Sequence, residues 1–133
     1  MNIKFMSAEH KAFFEEKVQK YHIENDRYRL AAIHVLGLSK NCRNNFSHCY
    51  DGHCCNDEAV TREWVTSDDA RVLRFAFGLY GARIFTAYLY DDYEDKYWEA
   101  EKYNPADLFD CRYAPYFFEA IKLLHPYYFE KNN

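Results

Sequence analysis

Apolar residues recur at three- and four-residue steps through most of this chain, and residues that begin or end helices punctuate them. Ser7 precedes a stretch from Ala8 to about Tyr21 in which Phe13, Phe14, Val18 and Tyr21 share one side, which predicts an amphipathic helix with its charges opposite. Asp26 predicts the start of a second helix, whose apolar stripe is Tyr28, Ala31, Ala32, Val35 and Leu36 and which ends at Gly37 and Ser39. Alanine narrows that stripe, so a neighbouring helix can pack close to it.

Asn41 predicts a shorter third helix through Phe46 toward Tyr50, before the turn pair Asp51-Gly52. Residues 51–66 read as a long connection anchored by Trp64. Ser67-Asp68-Asp69 then opens the strongest helical pattern of the chain. There Val72, Leu73, Ala76, Phe77 and Tyr80, widened by Phe75 and Leu79, predict an element near the centre of the fold.

From Ile84 to Tyr90 the composition suits a strand, but no second segment of like character is available to pair with it, so helix or loop is expected. Tyr93, Tyr97 and Ala100 return to helical spacing, and Asn104-Pro105 begins a short turn. Ala114-Pro115 opens a last helix with Phe117, Phe118, Ile121 and Leu124 on its apolar side, stopped by His125-Pro126. The whole predicts an all-α fold, one compact domain over residues 1–133 with about six short helices, and no repeat or Gly/Ser-rich linker divides it.

Composition sharpens this picture at three points. The 133 residues include 13 Tyr, 11 Phe and 2 Trp against 4 Gly, so the core is expected to be rich in rings. At this length about two thirds of the unfolded surface can be buried, enough for a core without metal or disulfide support. Five cysteines, with Cys54 and Cys55 adjacent, would be an unusual disulfide framework for a secreted protein and point to reduced thiols. The segment after Met1 turns charged at Glu9-His10-Lys11, and the apolar stretches Leu30 to Leu38 and Ile84 to Tyr90 are too short to cross a bilayer. A soluble, cytoplasmic protein without a membrane partner is expected.

The net charge of −4 is unevenly spread. Residues 1–66 carry nine Lys/Arg and nine Asp/Glu, whereas 67–133 carry eight and twelve, and 91–110 alone hold eight acids against Lys96 and Lys102. An acidic balance argues against direct, sequence-independent nucleic-acid binding, which normally needs a basic excess.

Four constellations hold side chains suited to chemistry or binding. Cys42, His48, Cys49, His53, Cys54 and Cys55 could hold zinc, but they lack paired Cys-x2-Cys knuckles, and Cys42 and Cys49 fit equally well as small core residues. Cys111 with His125, or His48 with Asp51, are chance-level catalytic pairs, with no Gly-rich phosphate loop or nucleophile elbow beside them. Arg71, Arg74 and Arg83 make a weak basic patch, for which pairing with Asp68 or the acidic segment is the plainer role. The fourth, Tyr88 to Tyr103, joins rings to carboxylates. Read as a helix, it turns Tyr93, Tyr97 and Ala100 inward and sets Asp91, Asp95 and Glu99 in an outward row.

At Arg71-Val-Leu-Arg-Phe-Ala-Phe-Gly-Leu-Tyr80, at Tyr113-Ala-Pro-Tyr-Phe-Phe-Glu-Ala-Ile-Lys122 and at His125-Pro126-Tyr127, the chain resembles a family of small uncharacterised proteins of low-GC Gram-positive bacteria and their mobile elements. The similarity extends over most of the chain, including Ala31 to Leu38 and the Trp64 region. In that family's pattern the position of Cys42 is usually not cysteine, which counts against zinc. The resemblance implies a setting in which small acidic proteins block host-defence nucleases by presenting carboxylates where DNA or guide RNA should lie.

The expectation is therefore a binding module without chemistry of its own and without a cofactor, acting as an anti-CRISPR-like inhibitor of a nucleic-acid-handling defence complex. Its partner would be a protein or ribonucleoprotein with a basic surface. Asp91, Asp92, Glu94, Asp95, Glu99 and Glu101 would supply charge, with Tyr97 and Trp98 as anchors. A zinc-stabilised regulatory domain and a small enzyme are the alternatives.

Overall fold

The computed structural model describes residues 2–53, 55–80 and 86–129. Among these the architecture is all-α, with eight helices and no strand beyond the isolated bridge between Tyr50 and Cys55. The helices are α1 Ala8–Tyr21, α2 Arg27–Leu36, α3 Lys40–Asn44, α4 Phe46–Cys49, α5 Ser67–Tyr80, α6 Tyr93–Glu101, α7 Pro105–Leu108 and α8 Ala114–Leu124. Short 3-10 turns lie at Asp57–Thr61, Thr86–Leu89 and Pro126–Tyr128. No described helix is long and apolar enough to cross a membrane.

The helix starts follow from side-chain capping. Ser7, Asp26 and Asn104 each accept a backbone N–H three residues on, and each begins the helix its sequence position predicts. At α5 the cap is reciprocal: Thr66 Oγ1 accepts the Asp69 N–H at 3.1 Å while Asp69 Oδ2 accepts the Thr66 N–H at 3.0 Å. The third predicted helix differs from expectation in two ways. Ser39, not Asn41, caps it, and it breaks at Asn45 into α3 and α4, which accounts in part for eight helices in place of six.

Helix α2 is the centre. Every residue from Ala31 to Ser39 is buried, and α2 packs against α1, α5 and α8. Its exit runs under α1 so closely that a Cβ on Gly37 would lie 2.7 Å from Phe13 Cδ1 and 2.9 Å from His10 Cδ2, so only glycine fits. Tyr28, expected in the α2 stripe, is instead exposed. On the other side Phe75 of α5 stacks on Phe117 of α8 at 4.3 Å between centroids, with Phe109 edge-on to both.

The N-terminal segment is fastened by two buried histidines. His10 accepts the Met6 N–H on Nδ1 and donates from Nε2 to the His34 carbonyl at 2.7 Å. His34 in turn donates from Nε2 to the Lys4 carbonyl, and the Lys4 N–H donates to Glu119 of α8. Phe5 closes this arrangement by packing on His10, His34 and Phe14.

Candidate functional site

Helix α6 inverts the usual amphipathic plan. Of its nine residues only Glu99, 1% exposed, is buried, while Tyr93, Tyr97 and Trp98 are 83%, 49% and 56% exposed. The predicted phase is thus turned by about a third of a revolution. Tyr93 and Tyr97, expected inward, face water, and Glu99, expected at the end of an outward carboxylate row, points into the protein.

The cause is a partner on α5. Arg74, 7% exposed, donates from Nε to Glu99 Oε2 at 2.8 Å and from Nη2 to Oε1 at 2.9 Å. The Thr86 hydroxyl donates a short hydrogen bond to Glu99 Oε2, which leaves the Tyr103 hydroxyl to donate to Thr86 at 2.7 Å. Lys102 Nζ stands 3.9 Å from Oε1. A bidentate guanidinium-carboxylate pair with its remaining lone pairs filled is the arrangement in which a buried charge is tolerated.

Glu99 is therefore neutralised within the molecule and cannot serve an outside partner. The other acids named for this surface are exposed: Asp91, Asp92, Glu94, Asp95 and Glu101. Asp92 is the α6 N-cap, accepting the Glu94 and Asp95 N–H groups, so the negative charge at this end also complements the helix dipole. At 100° per residue, Tyr93, Glu94, Tyr97 and Glu101 lie opposite Glu99, with Trp98 at their edge. Tyr97 and Trp98 meet edge-on, with centroids 5.2 Å apart. Three rings thus share an exposed side of α6 with Glu94 and Glu101, while Asp91 and Asp92 stand at the helix start and Asp95 lies about 40° from Glu99; Lys96 is the one cation within α6.

Elsewhere the candidates separate. Arg71 donates from Nη1 to Asp68 Oδ1 at 3.2 Å and from Nε to the Asp107 carbonyl at 2.9 Å, so its role is to tie α5 to α7. Arg83, Ile84 and Phe85 lie outside the described residues, and Thr86–Leu89 is a 3-10 turn. Cys42 and Cys49 are buried in the core. A hydrogen bond with Cys49, together with burial, pushes the Cys42 thiol well above its ordinary pKa, which opposes the thiolate a metal needs. His48 and His53 are exposed, Cys54 is outside the described residues, and no three His, Cys, Asp or Glu side chains among those described are arranged to hold a metal.

Pairing of Arg74 with the acidic segment is what the sequence leads one to expect; which carboxylate takes it is not legible there. Arg74 and Glu99 were each legible as charged residues with a possible ionic role, yet no spacing links positions 25 apart on separate helices.

A family of unknown function, DUF6075, matches residues 1–133, and the chain belongs to it. No curated protein and no solved structure matches.

Proposed function

We propose that this member of a family without an assigned activity is a cytoplasmic binding module with no chemistry of its own, and that α6 is its contact surface. The observation that carries the reading is the inversion of α6. A helix held inward by one ion pair while its rings stand in water makes little use of those rings within its own fold. Exposed Tyr and Trp with few rotatable bonds are the residues that concentrate energy at protein interfaces. Exposed carboxylates around them favour a basic partner through complementarity and steering.

The partner we infer is a protein or ribonucleoprotein whose basic groove normally holds a phosphate backbone, and the role is inhibition of such a nucleic-acid-handling complex, a CRISPR effector of a host-defence system among them. The mobile-element setting implied by the resemblance of Arg71 to Tyr80 and Tyr113 to Lys122 supports that choice.

The test is affinity capture against a panel of such effectors with wild type, a Tyr93→Ala/Trp98→Ala variant and a Glu94→Lys/Glu101→Lys variant. Both variants change exposed positions and leave Arg74-Glu99 intact. Each should lower affinity by about tenfold or more, and the wild-type complex should weaken as salt rises. Retention by both folded variants at wild-type strength removes α6 as the contact surface.

A further inference from the structure

A second surface, built from elements other than α6, has the opposite charge. The C-terminal half of α1 and the α3–α4 pair flank an open groove of about 410 Å³, within the size of small-molecule sites, roughly 300–1,000 Å³. Lys17, Lys20 and Arg43 line it, opposed by Asp51, in a protein whose overall balance is acidic. Tyr21, Phe46 and Tyr50 supply its rings, with centroids 5.4 to 6.4 Å apart.

The cations are poised on those rings. Lys17 Nζ lies 5.0 Å from the Phe46 centroid and Lys20 Nζ 5.4 Å from that of Tyr21, positions a flexible lysine can leave for a stronger anionic partner. Lys17 also meets Glu16 at 3.2 Å, but that carboxylate is largely exposed and competes weakly. Arg43 is fixed at the groove by its Nη1 bond to the Gly37 carbonyl at 2.7 Å.

Tyr50 forms part of the groove wall, and Arg29 and Tyr80, which do not line the groove, are among its charged and polar neighbours. Tyr50 is 2% exposed, and its hydroxyl has no hydrogen-bond partner among the described residues. Burial pushes its pKa up to about 12, so at neutral pH it keeps its proton and is a donor without an acceptor.

We propose that this groove binds a nucleotide, its base replacing the lysine ammonium groups on the Tyr21 and Phe46 rings and its phosphates taken by Lys17, Lys20 and Arg43. The rings distinguish this ligand from a bare polyanion. The size of the groove and the acidity of the rest of the chain distinguish it from a long phosphate backbone, which needs an extended basic surface.

The experiment is a titration of isotope-labelled protein at low salt, followed by amide shifts, with ATP, adenosine and inorganic tripolyphosphate as separate probes. ATP should give saturable shifts at Tyr21, Arg43, Ser47 and Tyr50. Adenosine and tripolyphosphate should each bind about tenfold more weakly or worse, because each supplies half of the recognition. Lys20→Glu, an exposed change, should weaken ATP about tenfold or more while the rest of the spectrum keeps its dispersion. Absence of saturation at millimolar ATP, tripolyphosphate binding as tightly as ATP, or a folded Lys20→Glu protein with unchanged affinity each overturns the proposal. These readouts involve no residue of α6, so their failure is separate from failure of the binding-module reading.

Discussion

The Ser39 hydroxyl donates to Asp69 Oδ1 at 2.5 Å, and through this contact the starts of two helices hold each other. Ser39 Oγ also accepts the Cys42 N–H as the cap of α3, while Asp69 completes the cap of α5 and accepts from Asn41 Nδ2 at 2.8 Å. Burial alone pushes the Asp69 carboxyl up, but hydrogen bonds from Ser39, Asn41 and Thr66 outweigh it and hold the group below the ordinary carboxylate range.

Asp69→Ala should therefore cost about 2–3 kcal/mol in urea unfolding, since it removes the side-chain half of the reciprocal α5 cap and leaves the buried Ser39 O–H without its acceptor. The same group gives an acid signature. A depressed native pKa means that its stabilisation is fully present above the unfolded value of 3.8 and is lost as pH falls through the native one. Below pH 4 the wild type and Asp69→Ala should converge in stability. Parallel curves down to pH 2 would remove the carboxylate from the account.

Arg74 and Glu99 yield a prediction in which two changes are gentler than one. Glu99→Ala leaves a guanidinium without its partner in the interior and should cost about 3–5 kcal/mol, and Arg74→Ala should cost about as much. Arg74→Met combined with Glu99→Leu removes both charges, fills the space with apolar atoms and should recover most of the loss. The check is a double-mutant cycle by chemical denaturation, in which additive losses contradict direct coupling.

These two networks mark how far the sequence could be read. Caps whose partner is three residues away were legible, and Ser7, Asp26 and Asn104 stand where the pattern puts them. The central place of α5 and the core rings Phe75, Phe77 and Phe117 follow from periodicity alone. The phase of α6 was not legible, because periodicity assigns the apolar side inward and the ionic side outward, while here one long-range ion pair overrides a helix whose stripe is too short to set its own orientation. The break at Asn45 escaped for a related reason: Ser39 looked like the end of α2, and it is also the start of α3.

The histidine latch should make the fold sensitive to mild acid. His10 is lowered to about 4, first by burial and then by His34 and Arg43, with its hydrogen bond to the His34 carbonyl opposing. His34 is lowered by burial, with its bond to the Lys4 carbonyl and the nearby Glu119 opposing. Because the unfolded chain takes up a proton near pH 6.5 and the native His10 only near 4, the unfolded state binds more protons between those values and stability falls as pH falls. The loss for His10 should reach about 3 kcal/mol by pH 4 and level off below it. Urea midpoints measured from pH 7.5 to 4 should move steadily downward. A flat profile over that interval means the two rings are not held neutral.

The inverted α6 can be checked optically, since the protein has 2 tryptophans in contrasting places. Trp64 is half-buried against the core, with its Nε1 buried and unpartnered among the described residues, whereas Trp98 stands exposed beside Glu94, Asp95 and Glu101. Water around Trp98 should place its emission to the red, so Trp98→Phe should leave a blue-shifted spectrum from Trp64 alone, and Trp64→Phe the reverse. Charge around the ring adds a second, sharper readout. Carboxylates concentrate cations and repel anions within about a Debye length, close to 10 Å at 0.1 M salt. In the Trp64→Phe protein, caesium should therefore quench Trp98 more efficiently than iodide does once their intrinsic efficiencies are calibrated on a neutral indole, and Glu94→Lys/Glu101→Lys should reverse that preference. Equal corrected quenching by the two ions would show that the ring and the carboxylates do not share one surface, and the binding role proposed for α6 would lose its electrostatic half.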